Sequence, residues 1–70
     1  MNTAFPQSGI ITSLDTTNNE AVVAIPIFNI ETESAPIIVS DTPLEVGDEV
    51  IILFLNGDLH RPIVIGKIGG

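Results

Sequence analysis

Five short apolar runs, separated by turn-forming residues, constrain the fold of this 70-residue chain more than any other feature. The runs cover residues 9–14, 20–28, 35–40, 49–55 and 62–68. Their apolar mass is mainly Ile, Val and Leu, and β-branched side chains favour pleated strands over helices. No window combines helical periodicity with helix caps for more than one turn. The sequence therefore predicts an all-β protein.

The segments between the runs predict how the strands are connected. Asp15-Thr16-Thr17-Asn18-Asn19 is typical of a turn, so the first two runs are predicted to form a hairpin. Pro26 removes a backbone donor late in the second run and predicts an edge strand or a bulge there. Residues 29–34 are predicted as a polar connection and residues 41–48 as a loop, whereas Asn56-Gly57 indicates a tight turn.

Five short strands at this spacing predict a small five-stranded OB-like antiparallel barrel. A six-stranded barrel and an SH3-like barrel remain the alternatives. Closing the sheet would protect strand edges that could otherwise pair with other chains. The chain is predicted to be a single domain over residues 1–70, with residues 1–7 as a flexible N-terminal arm and residues 69–70 as a frayed end.

A domain this small needs additional stabilisation, because it buries only about 60% of the surface that its unfolded chain exposes. Disulfides, a structural metal and oligomerisation are the usual sources. The chain has no Cys, and His60 is its one His, so neither a disulfide nor a zinc site can form. Oligomerisation is the source that remains.

The apolar runs also predict a contact surface. A strand buried on one face alternates apolar and polar residues, but residues 21–25, 51–55 and 62–65 are continuously apolar. A small barrel hides only its inward residues, so the outward ones would form a large exposed patch unless a neighbour covers them. The alternative is a monomer with scattered apolar surface residues. The predicted interface comprises Val22, Ala24, Ile52, Leu53, Leu55, Ile63 and Ile65.

Nine acidic residues against Arg61 and Lys67 give a formal charge of −7. Nucleic-acid binding requires clustered basic residues, so it is excluded as a function class. The simplest interpretation of the acidic residues is that they lie on solvated loops and keep the apolar barrel soluble. No run approaches the roughly 20 apolar residues of a membrane span, so no stable membrane insertion is expected. The N-terminal residues 1–7 carry no signal-peptide pattern.

Candidate catalytic groups are sparse, and the chain is predicted not to be an enzyme. His60 follows Asp58, which could orient its ring, but no nucleophile pattern lies nearby in sequence. No catalytic, cofactor-binding or metal-ligating residue is predicted, and no cofactor is expected.

Carboxylates are the only side-chain groups that the sequence suggests for binding a cation. Asp48 and Glu49 form one pair, and Glu31 with Glu33 forms another. Clustered carboxylates suit Ca²⁺, although the EF-hand spacing is missing. Their simplest interpretation is solvated charge on loops and strand edges.

The C-terminal half carries a recognisable pattern over residues 44–68. Val46-Gly47-Asp48-Glu49-Val50 leads into an apolar strand ending at Phe54, Gly57-Asp58 and Arg61-Pro62 follow, and Val64-Ile65-Gly66 lies near the end. This pattern resembles the OB domain of contractile-injection spike proteins, which include phage baseplate assembly protein V, the tailed-phage central spike and the VgrG proteins of type VI secretion. Residues 9–11 and 21–26 match that family more loosely.

The resemblance implies a homotrimer that binds other spike or baseplate proteins. It implies a location in a virion tail or baseplate, or in an injection machine assembled in the bacterial cytoplasm. The chain lacks the family's β-helical needle and its larger hub domains, so membrane piercing and tube docking do not carry over to it.

The motif residues are expected to determine the fold rather than to perform chemistry. Glycines permit strained backbone shapes, an Asp side chain can cap a turn, and a buried Phe can fill a barrel. These residues are Gly47, Asp48, Phe54, Gly57, Asp58, Pro62 and Gly66.

The leading functional hypothesis is a structural assembly module that acts by self-association and docking to partner proteins. One alternative is a small barrel that binds a ligand or cation. Another is an accessory domain that serves an enzyme on a different chain.

Overall fold

A computed structural model describes residues 5–38 and 43–68, and these residues form six strands. The strands are β1 (Gln7–Asp15), β2 (Glu20–Ile25), β3 (Ile30–Glu31), β4 (Ala35–Pro36), β5 (Glu49–Phe54) and β6 (Pro62–Lys67). The 3₁₀ turn Leu55–Gly57 is the only helical element in these two segments. The described residues therefore contain no helix that could span a membrane. The predicted all-β class is confirmed.

Four predictions lie wholly or partly outside the described residues. The parts that lie outside are positions 1–4 of the predicted N-terminal arm, positions 39–42 at the end of the third run and the start of the following loop, and the predicted frayed end at 69–70.

Antiparallel pairing joins the strands in the order β3-β2-β1-β5-β6, and β4 lies off this path because it also pairs with β2. The β1–β2 hairpin is the one predicted, with Asp15 opposite Glu20 at its closed end. Asp15 accepts hydrogen bonds from the backbone N–H groups of Thr17 (3.0 Å) and Asn18 (3.1 Å). The hydrogen bond from the Asn18 N–H is the main reason why the pKa of Asp15 is lowered.

The segment that follows β4 reaches β6. Ile37 forms an isolated parallel bridge with Val64. The Ile38 N–H donates to the Val64 carbonyl oxygen at 3.0 Å. The β4 segment therefore contacts β2 on one side and β6 on the other.

The core lies on one face of the long strands because their side chains alternate between inward and outward positions. Every second residue of β2 and of β5 is buried, and Phe54 is the largest fully buried side chain. The buried apolar residues are Ile11, Ala21, Val23, Ile25, Ala35, Val50, Ile52, Phe54 and Val64. Phe54 thus lies where its predicted core-filling role requires.

The second run differs from the prediction at its end. β2 stops at Ile25, and the exposed Pro26 begins the next turn, where its carbonyl oxygen accepts from the Asn29 N–H at 3.0 Å. Pro26 therefore occupies neither an edge strand nor a bulge. Asn29 has a φ of 55°, which lets the chain reverse so tightly that β3 can pair with β2. The predicted polar connection thus contains a strand.

The fourth run is also shorter than predicted. β5 ends at Phe54, and Leu55 enters the 3₁₀ turn instead of continuing the strand. The Leu55 N–H donates to the Arg61 carbonyl oxygen at 2.9 Å, which closes the connection at its base. The last two strands are therefore joined by seven residues, Leu55 to Arg61. The tight turn predicted at Asn56-Gly57 lies within this connection and is confirmed, because the Asp58 N–H donates to the Leu55 carbonyl oxygen at 3.0 Å and both turn residues have positive φ.

Gly9 in β1 is required by close packing, whereas Gly66 in β6 is not. A Cβ atom added to Gly9 would lie 2.6 Å from the Ala24 carbonyl oxygen and would also overlap the Val23 side chain. A Cβ atom at Gly66 would meet nothing within 4 Å. Gly66 therefore has no steric role that explains its place in the motif.

We expect Gly9→Ala to lower the free energy of unfolding by about 1–3 kcal/mol because overpacking displaces neighbouring backbone. Gly66→Ala is the matched control and should change it by less than about 0.5 kcal/mol. Urea unfolding followed by circular dichroism measures both. Equal effects of the two substitutions would contradict the packing that the structure gives Gly9.

Candidate docking surface

The outward side chains of β5 and β6 form a continuous apolar surface. Leu53 lies directly opposite Ile63, and both are half-buried. Ile65 is 38% exposed and is the extra residue where the pairing shifts between Ile51 and Ile52. Such a β-bulge turns the strand locally and re-aims its side chains. We call the surface formed by Ile51, Leu53, Ile63 and Ile65 the β5–β6 face.

Ile52 does not belong to this face, so its prediction as an interface residue is wrong. Its side chain is fully buried because it shares the inward side of β5 with Val50 and Phe54. Ile51, which was not predicted, takes the outward position. Counting in steps of two from Phe54 would have assigned both residues correctly from the sequence.

Val22 and Ala24 point outward from β2 and are half-buried, as their predicted role requires. Ala24 lies opposite Ile10 of β1. The β5–β6 face begins two strands away, and Ser8 of β1 lies opposite Ile51. The predicted interface residues therefore fall into two separate groups, and the β5–β6 face is the larger.

A groove of about 260 Å³ extends the β5–β6 face at the start of β6. Leu55, the remaining predicted interface residue, lines it from the 3₁₀ turn, and Pro36 lines it from β4. The side chains of His60 and Arg61, which can carry positive charge, lie at its border. We call this groove the basic groove, and its lining includes Pro36, Leu55, Pro62, Ile63, His60 and Arg61.

Charge is distributed unevenly around this surface. No residue in 50–57 or 62–68 is acidic, although the chain has nine carboxylates. Both of its basic residues, Arg61 and Lys67, lie at the two ends of β6. Glu49 begins β5 on the same outward side as Ile51, so negative charge borders one end of the β5–β6 face but does not lie within it.

A tight turn over residues 45–48 lies at the far end of β6 from the basic groove. Gly47 has a φ of +97°, which side chains rarely adopt, and the Asp48 N–H donates to the Glu45 carbonyl oxygen at 3.1 Å. The Asp48 carboxylate accepts from the Glu45 N–H at 2.8 Å and lies 3.5 Å from the Lys67 Nζ. We call this the Val46 turn, because Val46 at its tip is 61% exposed.

The connection between β5 and β6 uses the other predicted motif residues. Gly57 has a φ of 71°, in the left-handed region. The Asp58 carboxylate accepts from the His60 backbone N–H at 2.9 Å. Asp58 therefore orients the His60 backbone, whereas the sequence suggested that it could orient the ring. The buried Pro62 begins β6.

The His60 ring forms a hydrogen bond with Glu33, which lies 27 residues away in the sequence. Its Nδ1 lies 2.6 Å from the Glu33 carboxylate, and both side chains are mostly exposed. This hydrogen bond is the main reason why the pKa of His60 is raised, and the charges of Glu33 and Asp58 add to it. The pair ties the segment before β4 to the connection before β6.

The predicted carboxylate pairs do not converge on a common point. Glu31 accepts from the Thr12 hydroxyl at 2.8 Å, whereas Glu33 faces His60. Asp48 is held within the Val46 turn. Across residues 5–38 and 43–68, no three carboxylate or imidazole groups cluster in a way that could hold a metal ion.

Comparison with known families gives one match, which covers nearly the whole chain. Residues 7–68 match the family described as "Domain of unknown function (DUF6484)". The chain belongs to this family. The matched range contains all six strands, so the family unit is the sheet itself. No curated protein matches the chain.

The Glu33–His60 pair makes a measurable prediction about pH. A raised pKa means that the pair stabilises the fold while His60 is protonated, below its unfolded value near 6.5, and that this contribution is lost as the pH rises through the folded pKa. We expect an NMR titration of His60 to give a pKa above 6.5 in the wild type and a lower value in Glu33→Gln.

Glu31→Gln is the matched control because Glu31 bonds to Thr12, and it should leave the His60 titration in place. A wild-type titration at or below 6.5, or equal shifts from the two substitutions, would show that the pair does not form in solution.

Proposed function

We propose that this chain is a structural assembly module that self-associates through the β5–β6 face. The observation that carries the proposal is a row of outward Ile and Leu side chains on two paired strands, with one carboxylate, Glu49, at the end of the row. Covering an apolar surface of this kind lowers the free energy, and its only outward carboxylate on β5 lies at its edge. The small core adds to the argument, because a single core in so short a chain gives only marginal stability and association would add to it.

We further propose that the sheet closes into an OB-like barrel. Pairing runs β1-β2-β4 on one side and β1-β5-β6 on the other. The contacts of Ile37 and Ile38 with Val64 support closure, because they join the ends of these two paths. A closed sheet would also explain why the short strand β4 is covered on both edges.

The proposed module acts without a cofactor and has no catalytic activity of its own. Its polar groups support this, because Glu33 and His60 engage each other and Asp48 is committed to its own turn. A catalytic pair would instead need a nucleophile or a substrate cleft beside it.

The setting that we propose for the module is a contractile-injection spike or baseplate, with a trimer as the favoured assembly. The motif over residues 44–68 supports this setting through its resemblance to spike OB domains. Gly47 and Asp48 form the turn of that motif, and Phe54 fills the core. Other spike or baseplate proteins would then be the docking partners.

Closure of the sheet can be tested by amide hydrogen exchange. If β4 and β6 are joined, the Ile38 N–H is held by Val64 and should exchange slowly, together with the amides of the paired strands. The Val46 amide, in an exposed turn, provides the fast reference within the same NMR spectrum. Exchange of Ile38 as fast as that of Val46 would contradict the barrel.

Self-association can be tested with two isoleucine substitutions of equal charge. Ile65→Asp places a carboxylate in the β5–β6 face and should shift the purified chain from oligomer to monomer in sedimentation velocity at micromolar concentration. Ile27→Asp is the control, because Ile27 is 77% exposed and lies in the turn after β2.

Circular dichroism and thermal melting verify that both variants fold. A monomeric wild-type chain at tens of micromolar would refute self-association. If Ile27→Asp dissociated the oligomer and Ile65→Asp did not, the chain would associate through a different surface.

A further inference from the structure

We infer that copies of this chain associate head to tail, with the Val46 turn of one copy in the basic groove of the next. This inference rests on the proposed self-association and specifies its contact. The two features are complementary in shape and in charge. The turn presents an apolar side chain beside a carboxylate, and the groove offers an apolar floor beside a guanidinium group.

The Val46 turn is built to project its tip. Gly47, with its positive φ, and the Asp48 carboxylate, which accepts from the Glu45 N–H, fix the turn internally. Two backbone hydrogen bonds anchor it to Ile11 of β1: the Gly47 N–H donates to the Ile11 carbonyl oxygen at 2.8 Å, and the Asp48 carbonyl oxygen accepts from the Ile11 N–H at 3.0 Å. Val46 is left 61% exposed, and the Glu45 side chain next to it is also exposed. A rigid, exposed apolar tip loses little conformational entropy on binding, so it suits insertion into a partner.

The basic groove matches this tip. Pro36, Leu55 and Ile63 supply an apolar lining, and rigid prolines on two sides limit the entropy lost on contact. Arg61 is exposed at its border, and among the described contacts its side chain has no carboxylate within ion-pair distance. The other basic residue, Lys67, is already paired with Asp48. Arg61 is thus the charge available to an incoming Glu45.

The two features cannot meet within one copy. The ion pair between Lys67 and Asp48 holds the Val46 turn beside the last residue of β6, whereas the basic groove lies at Pro62, its first residue. Five residue steps along a strand separate these points by roughly 16 Å. Contact therefore requires a second copy.

Such a contact is heterologous, because it joins different surfaces on the two copies. Heterologous contacts close into a ring when the rotation between copies permits and otherwise continue as a filament. The β5–β6 face lies between the two ends of β6, so each copy would cover part of its neighbour's face as it docks. This geometry accounts for an apolar face that continues into the groove.

A charge exchange between Glu45 and Arg61 tests the contact. Arg61→Glu and Glu45→Arg should each weaken self-association by about tenfold or more, because each places like charges opposite one another. The double variant keeps the net charge of −7. It should restore the dissociation constant to within about threefold of the wild type. Sedimentation equilibrium measures all four constants.

Val46→Ser tests the apolar part of the contact without changing charge, and it should also weaken association. If the wild type associates and Ile65→Asp disrupts it while the charge variants have no effect, self-association stands and the head-to-tail contact is refuted. If Arg61→Glu weakens association but the double variant does not recover, the groove receives a different segment and the inference is likewise refuted.

Discussion

Packing around Phe54 sets the orientation of the strands on which the rest of the structure depends. Once this ring is buried, the alternation of β5 requires Ile52 and Val50 to point inward and Ile51 and Leu53 to point outward. Pairing with β6 then carries the same division to Ile63 on the neighbouring strand. Which residues face outward is therefore a geometric consequence of burying Phe54, whereas the apolar character of the outward residues is a separate property of the sequence.

Apolar residues occupy the inward side of β5 and, at Ile51 and Leu53, its outward side as well, which supports the proposed self-association. A one-sided strand would carry polar residues at Ile51 and Leu53, and nothing about the core would change. The acidic residues are instead placed in turns and at strand ends, such as Asp15, Glu33 and Glu45. The apolar outer face and most of the described acidic residues thus lie in different parts of the surface. Contact between copies through the apolar face can therefore be favourable despite their like net charge.

Much of the fold could be predicted from local chemistry. The β1–β2 hairpin follows from its Asp and Asn turn, because one short segment contains the groups that close it. The Val46 turn is signalled locally by Gly47 and Asp48, but its backbone also forms hydrogen bonds with Ile11 of β1, which no local pattern indicates. The strand β3 could not be predicted, because two residues give no periodicity and its pairing depends on a left-handed Asn29. Ile52 was misassigned for a different reason. Periodicity identifies alternate faces, but residues 50–55 contain no polar residue, so the phase of the alternation follows only from the inward Phe54 or from the outward Glu49 at the start of β5.

The candidate surface was harder to predict because its parts are distant in sequence. Pro36 and Leu55 line one groove only because β4 approaches β6, a contact between segments that no local pattern records. Glu33 and His60 meet across the chain for the same reason.

Specificity in such a module has to arise at its surface. Among the described residues, no buried side-chain nitrogen or oxygen lacks a hydrogen-bond partner, so their interior holds no unpaired polar group for a ligand to recognise. Apolar contact alone gives affinity but discriminates poorly between partners, whereas charges at its border fix register and orientation. In the proposed head-to-tail contact this task would fall to Arg61, because the chain has only two basic residues and Lys67 is paired with Asp48. A surface rich in Ile and Leu can therefore remain selective when one guanidinium group decides where its neighbour docks.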